Sequence, residues 1–146
     1  MPYVDQGEPK PAITPPVVPL IAIAAAMGLA IVPYWFFYNN LNLNQWLAPL
    51  LVGPMIGGAI FFTKKQPVPR SGLIVIIATL VTCLVGYVLR HVLWIKWADP
   101  TFKPSVGHAF EWLFSFDLVS ILLMAMSAYF AFAIATIPKQ TAPPAE

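Results

Sequence analysis

The feature that constrains this chain most is a long run without a charged side chain, from Val17 to Tyr38. About 20 apolar residues in a helix span the ~30 Å hydrocarbon layer of a bilayer. The run therefore predicts a transmembrane helix over residues 17–38. The first inference is that this chain folds in lipid rather than in water.

The composition supports a lipid environment for the chain as a whole. Hydrophobic residues make up 59% of the sequence and charged residues 10%, whereas a water-soluble domain has about 25% charged residues. The largest basic cluster is Lys64-Lys65, so the sequence offers no basic patch for nucleic acid. Its single cysteine, Cys83, excludes an internal disulfide and a metal site made of several cysteines.

Three further apolar segments complete the predicted architecture, and they cover residues 46–63, 72–94 and 110–137. The second segment is short and contains two prolines, and the last is long enough to span with tilt. With residues 17–38 they predict an all-α integral membrane protein. Its four transmembrane helices are expected to form two antiparallel hairpins.

The ends of the chain, residues 1–16 and 138–146, are Pro-rich and predicted to be extended extramembrane tails, because proline fixes φ and lacks a backbone N–H. The four-helix prediction places both tails and the 64–70 loop on one face of the membrane, together with five basic residues, Lys10, Lys64, Lys65, Arg70 and Lys139. The opposite face has three, Arg90, Lys96 and Lys103. Since cytoplasmic loops are enriched in basic residues, the termini are predicted to be cytoplasmic. The expected location is a bacterial inner membrane or an equivalent energy-transducing membrane.

Two of the segments contain small residues at helical spacing. Gly53 and Gly57 form a GxxxG pattern that continues into Gly58. The last segment repeats small residues every four positions, at Ser127, Ala131 and Ala135. Small residues let a second helix approach closely in lipid, where packing drives association. Both faces are predicted to pack against other integral membrane subunits.

Arg90 and Asp117 are predicted to lie just inside the outer ends of the third and fourth helices, at matching depth. Because a charge in a membrane segment faces protein or water and finds a partner, the main prediction is an intramembrane ion pair that joins the two helices. Arg90 could instead extend to the interface on its own. A third interpretation gives the two residues a role in moving ions or protons, or in binding an anion.

Both histidines and several tryptophans lie around the polar connection between the last two segments. His91, His108, Trp94 and Trp97 are predicted to be interfacial residues, and they are the candidates for contact with lipid, quinone or pigment. Trp94 follows Arg90 by four residues, which permits a cation–π contact. A metal or haem site at the histidines, with Glu111 or Asp117 as a further ligand, is the alternative. The sequence contains no diagnostic ligand spacing, so no metal and no cofactor of the chain's own is expected.

The sequence contains no phosphate-binding loop, nucleophile elbow or zinc-protease motif. We therefore predict a non-catalytic accessory or structural subunit of a larger membrane complex. Its expected partners are other integral membrane subunits and lipids, in a respiratory or photosynthetic electron-transport assembly, where small subunits of this kind are commonest. One alternative is a small homo-oligomeric transporter, channel or assembly factor that uses Arg90 and Asp117. Another is a redox-cofactor subunit that uses His91 or His108.

Overall fold

The chain forms helices joined by short connections in a computed structural model that describes residues 17–37, 40–64 and 70–138, without the side chains of residues 41–46. The helices are α1 (Val17–Phe36), α2 (Leu41–Thr63), α3 (Ser71–Ala98), α4 (Val106–Phe114) and α5 (Leu118–Ala135). No β-strand occurs in these ranges. The predicted tails lie outside the described residues apart from Pro138, as do residues 65–69 of the basic loop.

Three of the helices, α1, α3 and α5, are long and apolar enough to cross a membrane. In α2 the apolar part is shorter and covers Leu47–Thr63. The fold is therefore all-α, and its length and composition are those of a membrane protein.

The predicted fourth segment, residues 110–137, differs in the structure because it is divided between α4 and α5. Ser115 ends α4, since its hydroxyl donates to the carbonyl of Trp112 at 2.8 Å. Asp117 begins α5, since its carboxylate accepts the backbone N–H of Ser120 at 3.1 Å. Short polar side chains that bond to nearby backbone groups favour helix ends over helix interiors.

The described helices pack as a bundle in which α5 contacts α2 and α3, and α1 contacts the same two helices. Short side chains dominate the interior, and the fully buried residues include Ala30, Ala48, Val52, Ile56 and Val75. Dense packing of small and β-branched residues replaces the hydrophobic effect as the source of cohesion between helices in lipid. Only α3 contacts α4 among the described helices.

Candidate functional site

The closest helix contact in the bundle joins the two small-residue faces, from α2 and α5. A Cβ atom added at Gly53 would overlap the backbone carbonyl of Ser127, and one added at Gly57 would lie 2.7 Å from the carbonyl oxygen of Ala131. Both pairs advance by four residues in the same direction, so α2 and α5 run parallel. The two faces thus pack on each other within one chain, and Ala135 is fully buried.

Gly58 does not take part in this contact. A Cβ atom added there would have the ring of Phe62, on the same helix, as its nearest neighbour at 3.9 Å. The GxxxG pair Gly53–Gly57 therefore accounts for the close approach, whereas the adjacent glycine lies beside it.

A chain of polar side chains links all four long helices at the level of Gly53. The backbone N–H of Gly53 in α2 donates to the hydroxyl of Ser127 in α5 at 2.8 Å. Ser127 is within hydrogen-bonding reach of the thiol of Cys83 in α3, which in turn reaches the phenol of Tyr34 in α1. A buried polar group in lipid is stable only when it is paired. Within this chain, Gly53 and Ser127 form a hydrogen bond, and the thiol of Cys83 and the phenol of Tyr34 lie close to it.

The polar chain was not predicted from the sequence. One residue in the sequence, the glycine at position 86, is a signal for a close contact near Cys83. A Cβ atom added at Gly86, three residues after Cys83, would overlap the ring of Tyr34. Gly86 thus gives the ring of Tyr34 room to lie against α3, close to the thiol.

Lys64 is a second functional residue that sequence reasoning assigned only to a basic loop. Its side chain is buried, with 8% exposed, and its ammonium donates to the carbonyls of Ala135 at 2.7 Å and Ile137 at 2.9 Å. The last carbonyls of a helix have no partner within the helix. Lys64, at the end of α2, therefore caps the end of α5 and complements the negative end of its dipole.

Arg90 is half-buried in α3, and its guanidinium lies 4.7 Å from the ring centre of Tyr87. This aromatic partner is Tyr87 rather than Trp94, whose ring packs on Trp97 with a centroid distance of 5.3 Å. Arg90 also borders a cavity of about 10 Å³ lined in part by Tyr34, Cys83 and Ser120. That volume accommodates about one water molecule.

Asp117 is exposed at the start of α5, which differs from its predicted position inside a helix. Hydrogen bonds from Ser120, with a smaller effect of the Arg90 charge, hold the pKa of the Asp117 carboxyl below its usual range. Arg90 is thus near enough to act on Asp117 electrostatically. A direct ion pair between them stays a prediction.

The N-cap role of Asp117 can be separated from its charge by two substitutions. Asp117→Ala removes the cap, and we expect it to lower the free energy of unfolding by about 1 kcal/mol. Asp117→Asn keeps a good capping side chain without the charge and is expected to remain close to wild type. Reversible unfolding in mixed detergent micelles measures both. An asparagine variant as unstable as the alanine variant would contradict the cap and favour the ion pair.

The same cap predicts a direction for pH dependence. Because the pKa of Asp117 is lower in the folded state than in the unfolded state, its contribution is present above the unfolded value and is lost as pH falls through the folded value. Stability should therefore decrease in the range below about pH 4, the usual pKa of aspartate. Asp117→Asn should remove this part of the acid sensitivity.

The two histidines are brought together through an indole ring. Trp112 of α4 stacks on His91 of α3 with a centroid distance of 5.5 Å and on His108 of α4 with a distance of 6.0 Å. The Nδ1–H of His91 donates to the carbonyl of Tyr87 at 2.9 Å. The Nδ1 atom of His108 accepts the backbone N–H of Ser105 at 3.2 Å and so caps α4.

These contacts give the histidines a structural role at the junction of α3 and α4. Within the described ranges, no group of three or more His, Cys, Asp or Glu side chains could hold a metal ion. The indole between His91 and His108 also uses the ring faces through which a planar ligand would stack. The arrangement can position helices, hold about one buried water and present aromatic rings at a helix junction. The chain matches no protein-family model, no curated protein and no solved structure.

Proposed function

We propose that this chain is a non-catalytic accessory subunit of a larger membrane complex, of the electron-transporting kind found in respiration or photosynthesis. In this proposal α1, α3, α5 and the apolar part of α2 cross the bilayer as two antiparallel hairpins, with cytoplasmic termini. The chain stabilises larger subunits and closes an edge of the assembly against lipid or a cofactor.

The small-residue faces are used within the chain, so the partner must bind elsewhere. A groove of about 480 Å³ runs along α3 and α5, and its lining is almost wholly apolar. It is bordered by Ile76, Leu80, Ala125, Ala128, Tyr129 and Phe132. Two alanines and four larger side chains form a surface that fits one further transmembrane helix.

The single observation that supports this site most is the position of Tyr129. Its side chain is 66% exposed, although it is the twelfth residue of an 18-residue helix. At ~1.5 Å per residue the tyrosine lies about 17 Å from the start of α5, near the middle of a bilayer. Its hydroxyl has no hydrogen-bond partner among the residues that the structure describes. An unpaired hydroxyl in hydrocarbon costs about 1–3 kcal/mol, and an acceptor on a partner helix would remove this cost.

The transporter or channel alternative has less support. That alternative needs a pore between copies of the chain, and the Gly53–Gly57 face is not available to line one because it lies against α5. It also used Arg90 and Asp117 as a gate, whereas Asp117 caps a helix at its end. The redox-cofactor alternative has no specific support in the contacts of His91 and His108, whose Nδ1 atoms bond to Tyr87 and Ser105.

Affinity purification from native membranes in mild detergent tests the accessory role. We expect the wild-type chain to elute with other membrane subunits in fixed stoichiometry. Ala125→Trp fills the groove and should remove most of them, and Tyr129→Phe should weaken the association. Ile21→Trp, at a 62% exposed position of α1, is the matched control and should retain the complex. Recovery of the wild type only as a free monomer would refute the proposal.

A further inference from the structure

The short helix α4 has a continuous apolar stripe that no described helix covers. Val106, Phe110 and Phe114 follow one another at intervals of four and therefore lie along one face. Their exposed fractions are 74%, 57% and 88%. Because α4 contacts only α3 among the described helices, these three side chains form an apolar surface that the described part of the chain leaves uncovered.

The other sides of α4 have different surroundings. At 100° per residue, Glu111 lies about 100° from the middle of the apolar arc, between that arc and the side of Trp112. Glu111 is exposed. Trp112 lies on the side that packs on His91. The helix thus has one face for α3, one for water and one apolar face with large aromatic side chains.

The position of α4 along the bundle places it at a membrane boundary. It follows the C-terminal end of α3, where Trp94 and Trp97 lie, and precedes Asp117 at the start of α5. Tryptophan is enriched at membrane–water interfaces. The first residue of α5, Leu118, is 71% exposed, so an exposed apolar surface begins again on the long apolar helix that follows α4.

We propose that the Val106–Phe110–Phe114 stripe inserts into the lipid leaflet at the C-terminal end of α3, so that α4 lies in the plane of that interface with Glu111 toward water. A helix with this division of residues binds at the boundary between headgroups and acyl chains. The occupant of the stripe is the acyl region of the lipid. This inference requires a membrane protein, but it does not require the accessory role.

The charges around α4 support lipid insertion driven by apolar contact. Between residues 90 and 117 the sequence has three basic and three acidic residues, namely Arg90, Lys96, Lys103, Asp99, Glu111 and Asp117. A balanced surface has little net attraction for anionic headgroups. Insertion should therefore occur in vesicles of neutral phosphatidylcholine and should persist at high salt.

Spin labels at single cysteines test the orientation of α4. In a Cys83→Ser background, Phe110→Cys, Phe114→Cys and Val106→Cys report on the stripe, and Glu111→Cys is the matched control on the same helix. Each labelled protein is reconstituted in phosphatidylcholine vesicles. Collision rates with oxygen, which concentrates in lipid, are compared with those of a water-soluble nickel chelate.

We expect labels on the stripe to collide several-fold more with oxygen than with the chelate, and the label at residue 111 to show the reverse. Equal access of the chelate to the stripe and to residue 111 would overturn the proposal, because α4 would then lie in water. Shielding of the stripe from both reagents would also overturn it, because protein would then cover this face. All substituted residues of α4 are exposed, and circular dichroism verifies that each variant is folded.

Discussion

Gly53→Ala is expected to destabilise the bundle more than any other single-methyl change in α2. The added methyl group would overlap the backbone carbonyl of Ser127, and a backbone atom cannot move aside as a flexible side chain can. Overpacking of this kind costs about 1–3 kcal/mol, occasionally more, while replacing a helical glycine returns up to about 1 kcal/mol. We expect a net loss of about 2 kcal/mol in the free energy of unfolding, since the hydrogen bond from Gly53 to Ser127 is also disturbed.

Gly58→Ala is the matched control, because it adds the same methyl group to the same helix. The nearest neighbour of the added methyl group would be the ring of Phe62, on its own helix, at 3.9 Å. It should be neutral or slightly stabilising. Unfolding of both variants in mixed micelles, followed by helical circular dichroism, compares them directly. Equal stability of the two variants would contradict the α2–α5 contact.

Lys64→Met is expected to have the second large effect. Methionine fills a similar volume but cannot donate to the carbonyls of Ala135 and Ile137, which then remain unpaired. Hydrogen bonds from a charged donor contribute about 1.5–3 kcal/mol each. Because the ammonium must also leave water, we expect a net loss of about 2–3 kcal/mol and early fraying of the last turn of α5.

Lys96→Met is the control for Lys64→Met, since Lys96 is exposed at the end of α3. Its replacement should change stability by no more than about 0.5 kcal/mol. Amide hydrogen exchange of residues 131–137 locates the effect of each variant. Unchanged protection of these amides in Lys64→Met would contradict the capping role.

The positions of the apolar helices along the chain can be predicted from the sequence, whereas the contacts between these helices cannot. Helix α1, Val17–Phe36, lies within the predicted segment 17–38 because the apolar run and its length both depend on local composition. The spacing of Gly53 and Gly57 likewise indicates a close helix contact. The glycine spacing does not indicate whether the second helix belongs to the same chain, because a small-residue face of any helix at that depth would fit against Gly53 and Gly57.

The residues at helix ends were harder to predict. Asp117 was expected inside a helix because hydrophobic residues flank it on both sides, but its own side chain bonds to the N–H of Ser120 and starts a new helix. A short polar residue immediately before an apolar helical run is a recognisable cap signal. Lys64 could not be found this way, because its acceptors lie more than seventy residues away in the sequence.

Photo-crosslinking from position 129 tests most directly the claim that the α3–α5 groove holds a partner helix. Benzoylphenylalanine replaces Tyr129 in native membranes, and replaces the equally exposed Ile21 in the control. If the groove holds a partner helix, we expect one crosslinked product of defined mass, containing another integral membrane protein, from position 129 and only lipid adducts from position 21. Lipid adducts alone from both positions would contradict it.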